Sequence, residues 1–462
     1  MNKIVVSDHN ARQGLVIVCI AAFLVPFMGS ALNLALPEIS ETFSMKAITL
    51  TWLAIAYMIS SAIFQIPFAR IADIVGRKKI FIGGVLIFSL CTFLCGFAPN
   101  GEILIGLRFL SGIGSAMMSG TSIAILTALF PPQERGKALG INTAVVYAAL
   151  AAGPFLGGTL THYMGWQSIF FCCAGLGIIV LILSRIFLKG EWIEARGQKF
   201  DTVGTILYGV GLAAVIYGFS TLNSTIGLIC LISGILAFIL FVLYEKRHIS
   251  PVFNVRLFSG NRVFTLSSLA ALINYSATSA ISFMLSLYLQ YVRGLDANHA
   301  GIILISQACV QSVFSLIAGH LTTRFDSSRM ATLGMIIIVL GLGGLIFLGI
   351  DTPYWILICL LILLGIGFGI FSSPNTNVIM GSVEKKDYNQ ASASTGTMRL
   401  TGMAFSMGIA SMAISFGMGN EKIVPSLYPA FMQSMKITFS IFLVLCCIGI
   451  YASSARIKTN RQ

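Results

Sequence analysis

Ala69-Arg70-Ile71-Ala72-Asp73-Ile74-Val75-Gly76-Arg77-Lys78-Lys79 is a charged, glycine-bearing turn set between two apolar runs, 48–69 and 80–97. Gly76 permits a tight reversal, the basic cluster suits an anionic lipid leaflet, and Asp73 can bond a neighbouring helix end or arginine. A membrane-spanning helix needs about 20 apolar residues, each rising 1.5 Å, to cross roughly 30 Å of hydrocarbon. Working outward from the turn with that template gives fourteen runs: 14–36, 48–69, 80–97, 103–130, 137–161, 167–188, 202–221, 225–244, 264–291, 300–323, 330–350, 355–380, 389–417 and 435–455. The first is too long for a cleaved signal peptide and reads as a transmembrane helix.

Composition agrees. The 462 residues are 56% hydrophobic and 10% charged, with mean hydropathy +0.90. A soluble domain carries about 25% charged residues to cover itself in water. The net charge of +13 sits in short clusters between apolar runs, not on one basic face, which argues against a nucleic-acid partner. The ten cysteines fall inside apolar runs without zinc-site spacing, so neither a metal nor a cofactor is expected.

Cytoplasmic loops collect Lys and Arg. Alternating the fourteen runs assigns 23 of the 29 cations to one side, 4 to the other, and leaves Arg108 and Arg399 inside helices. The first group includes Lys3, Arg70, Arg77, Lys78, Lys79, Arg185, Arg324, Lys385, Lys386, Arg456 and Arg461. Removing one run from the middle would scramble this asymmetry, and both termini are expected on the cytoplasmic side. A weaker echo of the opening turn, Gly319 to Asp326, follows the tenth run about 250 residues later. Two six-helix halves, 1–190 and 251–462, with two helices inserted at 191–250, would give this pattern.

The opening turn, with its spacing after a second helix, resembles the loop between helices two and three of the major facilitator superfamily. Ala69 stands where that family's pattern has glycine, and Ile74 where it has arginine. In the fifth run Gly140, Gly153, Pro154, Gly157 and Gly158 resemble an antiporter-associated motif, with Ala149 at one glycine position. Close helix packing with no bearing on transport direction reads those residues equally well. Trp52 to Tyr57, Phe130 to Ala138, Phe200 to Gly204, Pro251 to Phe264, Tyr288 to Gln290 and Gly365-x-Gly367-x-Gly369 are similar to the fourteen-helix drug:proton antiporter branch, which also includes riboflavin-type transporters. The resemblance implies an all-α membrane protein with fourteen transmembrane helices, a multi-pass cell-membrane location and a rocking-halves transport cycle. A proton is the coupling ion it allows, and a monomer is expected.

One mismatch bears most on function. In the first helix that branch commonly places a buried Asp where this chain has Met28, within Phe27 to Pro37. The sixteen carboxylates, including Glu38, Asp201, Glu245 and Asp296, all read as loops or helix ends. Ionisable residues inside a membrane are functional candidates by default. Those left are Arg399, near the midplane of the thirteenth run, and Arg108, nearer the outer end of the fourth. Each also reads as an arginine bonded to backbone carbonyls. The remaining substrate-binding or coupling candidates are Ser30, Asn33, Gln65, Asn142, Asn274, Gln307, Gln311, Asn375 and Asn377, with Trp52, Tyr57 and Tyr147. Asp73, Gly76, Arg77 and Lys78 form the candidate gating loop.

Cations and amides without an embedded anion cannot neutralise a lipophilic cation, whose unpaired burial costs several kcal/mol. The expectation is a secondary transporter, not an enzyme, whose small-molecule substrate is neutral or anionic, with riboflavin-type vitamin uptake as the specific reading. A proton-coupled multidrug efflux antiporter is the alternative that the resemblance supports, and a solute sensor on the same fold is a third. No phosphate-binding nucleotide motif is present to supply ATP energy.

Overall fold

The computed structural model describes residues 8–459, except 223, 249–250, 254, 323, 385–387 and 420. Lys3, Lys385, Lys386 and Arg461, read above as loop cations, lie outside the described residues. The described chain is all-helical and has fourteen helical segments long and apolar enough to cross a membrane. The first eight are α1 (Asp8–Phe43), α2 (Ala47–Val75), α3 (Arg77–Cys95), α4 (Gly101–Leu129), α5 (Pro132–Met164), α6 (Gln167–Phe187), α7 (Thr202–Ser220) and α8 (Thr225–Glu245). A short α9 (Arg256–Gly260) precedes α10 (Arg262–Ser276) and α11 (Ile281–Leu287), and α12 (Ala297–Leu321), α13 (Ser327–Ile346), α14 (Tyr354–Gly381), α15 (Tyr388–Met418) and α16 (Tyr428–Thr459) complete the chain.

Polar side chains set several helix starts. Asn100, Asp201, Ser224, Asn261, Asp296 and Asp326 each accept a hydrogen bond from a first-turn amide, satisfying a donor the helix itself cannot. The helices outrun the apolar runs because hydrogen bonding continues past the hydrocarbon-length segment, and α1 passes through Pro26 and Pro37.

The ninth run is not one helix. α10 ends at Ser276, α11 begins at Ile281, and a π-helical turn, Tyr288–Val292, follows. At the break the Ala280 amide donates to Ser406 Oγ on α15 (2.9 Å), and Thr278 Oγ1 donates to the Asn274 carbonyl. Borrowed partners of this kind let irregular backbone persist at membrane depth.

Packing partners recur along the chain. α1 packs on α5 and α6, α2 on α4, and α3 on α4 and α6; correspondingly, α10 packs on α15 and α16, α12 on α14, and α13 on α14 and α16. α5 meets α12, and α2 meets α15. Close backbone approach underlies several of these pairs. A side-chain carbon on Gly367 would come within 2.9 Å of the Gly334 carbonyl oxygen, and Gly365 and Gly369 similarly abut α12. The Gly365-x-Gly367-x-Gly369 stretch is therefore a packing surface. α7 and α8 form a hairpin, and α7 reaches both α2 and α15 through Tyr208 Oη to the Ala62 carbonyl (3.0 Å) and Phe219 against Phe405.

The outer surface is apolar. Ile226, Ile229, Ile232, Leu236, Ile239 and Leu243 of α8 are all exposed, a surface stable only in lipid.

Arg456 departs from its loop reading. α16 continues to Thr459, and Arg456 is 0% exposed. Its guanidinium donates to Ser267 Oγ (2.9 Å), Ser453 Oγ (2.9 Å) and Asn375 Oδ1, while Asn375 Nδ2 donates to the Ser267 carbonyl (3.1 Å). Neutral partners, supplied by α10 and α14, replace water around this charge. Arg456→Met is expected to cost about 1–3 kcal/mol, the penalty for stranding Asn375 and Ser267. Thermal unfolding of the detergent-solubilised protein checks this, and an unchanged Tm would refute it.

Candidate functional site

The Asp73 turn is locked on all sides. Gly76 has φ 130°, a conformation that residues with side chains rarely adopt, and a carbon added there would meet Glu191. Arg77, 2% exposed, pairs with Asp73 (2.8 Å) and Glu194 (2.7 Å). Its amide donates to the Trp192 carbonyl, and the Lys78 amide donates to Glu191 Oε1 (2.8 Å). The amides of Glu194 and Ala195 return to the Asp73 carbonyl. The segment joining α6 to α7 thus clamps this turn.

Immediately beside it lies a cavity of about 210 Å³ between α2, α4, α15 and residues 251–253. Gln65, Arg70, Asp73, Arg77, Ser119, Val252, Phe253 and Arg399 are among its walls. Arg399 has no ion-pair partner among the described residues. Gln65 sits against α15, where a side-chain carbon on Gly396 would lie 2.8 Å from its Nε2.

Four of the candidate amides carry a buried polar atom with no hydrogen-bond partner: Gln65 Oε1, Asn142 Oδ1, Asn274 Nδ2 and Gln307 Oε1. They come from α2, α5, α10 and α12. Each stranded atom costs about 1–3 kcal/mol unless a water or a ligand completes it. Among the described residues Asp73 is the one carboxylate in the cavity wall, already paired to Arg77. Met28 is fully buried in the core.

Other candidates are placed differently. Arg108 is 1% exposed, lies 4.3 Å from the Tyr57 ring centroid and donates to the Leu53 carbonyl (3.3 Å). That contact joins α4 to α2, away from the cavity. Trp52 packs on Tyr217 of α7. Ser30 Oγ donates to the Leu150 carbonyl, and the Asn33 carbonyl accepts from Ser286 Oγ (2.6 Å). Tyr147 Oη bonds Ser372 Oγ across α5 and α14. Gln311 is partly buried, with its carbonyl beside Gly369, and Asn377 is exposed, donating to Thr322 Oγ1. Asn375 is engaged by Arg456.

At the opposite end α5 closes on α12. Carbons on Gly158 and Gly301 would come within 2.3 Å of the Ala297 and Pro154 carbonyl oxygens, respectively. Gly153 and Gly157 meet Ser30 and Ala31 of α1 in the same way. Thr159 Oγ1 donates to Asn298 Oδ1 (3.2 Å), and His162 stands 3.9 Å from Asp296. Burial acts to raise the Asp296 carboxyl pKa, but the amide and ring of His299, with His162 beyond, outweigh it and hold the value below the usual range. The helix-five motif is thus a set of contact points on two neighbouring helices.

Sequence reasoning missed Asp201 and Glu245. Both are at helix ends as expected, yet both are buried. The cue was the Phe200-Asp201 stretch before α7, whose burial depends on how α8 docks.

The Major Facilitator Superfamily family model matches residues 18–407. The riboflavin transporter RibZ of Clostridioides difficile is 28% identical over 439 residues, 94% of this chain and 95% of its own length. The methylenomycin A resistance protein of Bacillus subtilis is 28% identical, covering 88% and 89%. The multidrug resistance protein Stp of Mycobacterium tuberculosis is 28% identical, covering 84% and 73%. Among solved structures, a bacterial homologue of the human lysosomal transporter Spinster, inward-facing and unoccupied, superposes with TM-score 0.72 at 18% identity, covering 98% of both chains. A mutant form of the nucleoside transporter NupG gives 0.64 at 14% identity, covering 96% and 99%.

Proposed function

Because the chain belongs to the Major Facilitator Superfamily, a family of multi-pass membrane transporters, we propose that it moves a small neutral or anionic organic solute, with a riboflavin-type vitamin as the specific substrate and uptake as the direction. One observation supports this most. Among the described residues the cavity wall presents Arg399 without an ion-pair partner and Gln65 with a stranded carbonyl oxygen, while the one carboxylate there is engaged by Arg77. A cationic drug would find no counter-charge there, and desolvating it unpaired costs several kcal/mol. A neutral ring bearing carbonyl and imide groups would complete Arg399 and Gln65, and Phe253 offers a face for stacking.

The proposed orientation places the Asp73 turn and both termini in the cytoplasm, from the loop-charge asymmetry. The 210 Å³ cavity would then face the cytoplasm, with the Gly158–Ala297 contact as the closed outer side. Tight packing within each group of helices, with fewer contacts between them, suits rocking of 1–190 against 251–462 while α7 and α8 ride between. The expected result is growth: a riboflavin auxotroph lacking its own importer should grow on low external riboflavin when it expresses this protein. No growth advantage over empty vector, with the protein present in the membrane, would refute the vitamin reading.

Proton-coupled drug efflux is the second reading. The relatives' names favour it, since two of the three just described are resistance proteins. Ethidium resistance abolished by collapsing the proton gradient would establish it.

A further inference from the structure

Three arginines line the cavity beside the Asp73 turn: Arg70, Arg77 and Arg399, with Asp73 as the one carboxylate in the wall among the described residues. Arg77 is neutralised there, because Asp73 (2.8 Å) and Glu194 (2.7 Å) both pair with it. The other two are not. Arg70, near the end of α2, donates from Nη2 to Gln198 Oε1, an uncharged acceptor, and its Nε is buried with no hydrogen-bond partner. Arg399, on α15, has no ion-pair partner among the described residues. Guanidinium groups stay charged inside proteins, so an anion relieves their burial and loss of a proton does not. Two uncompensated arginines from different helices, one with a stranded donor, are what an anion-binding cavity requires.

The wall also selects among anions. Ser119 Oγ is already engaged by the Ser115 carbonyl (2.9 Å), which leaves the two arginines as the charged donors. A guanidinium presents a planar fork that engages two oxygens at once. A carboxylate has a single edge, which one fork fills. A phosphate monoester has three terminal oxygens, enough to meet forks from α2 and α15 together. Ile66, Val252 and Phe253 make the neighbouring wall apolar, which suits the organic part of such an ester. Gln65 Oε1, buried without a partner, would accept from a hydroxyl on it.

We propose that Arg70 and Arg399 bind the phosphate of a phosphate monoester, holding it between α2 and α15 at the end of the molecule where the Asp73 turn lies. The ester's organic part rests against Phe253. Only the consequence for flux rests on the transporter reading: a phosphate on Arg399 occupies the residue proposed to meet the solute, so phosphate monoesters compete with the cargo. Binding itself needs no transport.

The test therefore reads binding alone. Thermal unfolding of the purified full chain in detergent is followed against rising phenyl phosphate, with ionic strength matched by potassium chloride. Wild type should show a saturable rise in Tm. Arg70→Gln and Arg399→Gln should each weaken the apparent affinity about 10- to 100-fold, the loss expected for one charge-assisted contact. Arg196→Gln, at an exposed cation outside the cavity wall, should leave it unchanged. A second arm replaces phenyl phosphate with dioleoyl phosphatidic acid in mixed micelles, which carries the same phosphate on a lipid. An arginine-dependent shift with phenyl phosphate supports a soluble ester as the ligand, and one confined to phosphatidic acid supports a lipid headgroup. No saturable shift with either probe, or equal shifts in wild type and both cavity variants, would overturn the proposal, whether or not the protein carries riboflavin. If one cavity variant does not fold, the other decides alone.

Discussion

Arg399→Ala is expected to reduce solute flux about 10- to 100-fold while the protein still reaches the membrane in wild-type amount. Charge-assisted hydrogen bonds are worth about 1.5–3 kcal/mol, and about 1.4 kcal/mol makes a factor of ten, which gives that range. Arg399 lines the cavity and has no ion-pair partner among the described residues, so its removal leaves no described carboxylate unpaired. The loss should therefore fall on the solute, not on stability. Arg399→Lys would keep the charge without the planar fork and should recover part of the flux. Flux assays paired with a thermal unfolding measurement check both halves. Wild-type flux in Arg399→Ala, or a matching loss of Tm, would move the residue out of the binding role. Arg108 makes the useful contrast, because it is tied to Tyr57 and Leu53. Its replacement should lower stability first.

Gly158→Val is expected to abolish transport by a different route. The added carbon would meet the Ala297 carbonyl oxygen at 2.3 Å and its carbon at 3.0 Å, both backbone atoms that no rotamer change can move. Overpacking of this kind costs about 1–3 kcal/mol. That cost falls only on the state in which α5 and α12 touch, so the closed end should lose population about 5- to 150-fold. An engineered cysteine at Asn298 should become more reactive to a membrane-impermeant thiol reagent in the Gly158→Val background. Unchanged labelling with normal flux would show that the contact does not belong to the transport cycle.

The fourteen spans were legible because lipid makes a simple demand, about 20 apolar residues per crossing, which α2 or α8 meets on composition alone. Helix five's glycines were legible as residues but not as partners, since only the docked structure shows Gly158 meeting Ala297 and Gly157 meeting Ala31. Three features were hidden for physical reasons. Arg456 lies near the chain's end, where a long cation ordinarily snorkels to water; it is buried because α10 and α14 bring Ser267 and Asn375 to it. The break at 277–280 carries no proline or glycine, and depends on Ser406 from a helix more than a hundred residues away. Asp201 and Glu245 read as helix-end carboxylates, and their proximity arises only when α7 and α8 pair. Of the neutral candidates, Gln65 lines the cavity, whereas Asn375 serves Arg456 and Asn377 is exposed and bonded to Thr322. Residue type identified polar groups in the membrane, and tertiary contacts decided which were already satisfied.

At the centre stands the proposal that this cavity takes a neutral or anionic solute and refuses lipophilic cations. Its most direct measurement is a side-by-side flux assay in proteoliposomes holding the purified protein, with riboflavin and ethidium as the two probes under the same imposed proton gradient. Riboflavin should move well above the rate of protein-free vesicles and lose that movement in Arg399→Ala, while ethidium should stay at background. Gradient-driven ethidium transport with no riboflavin flux would contradict it.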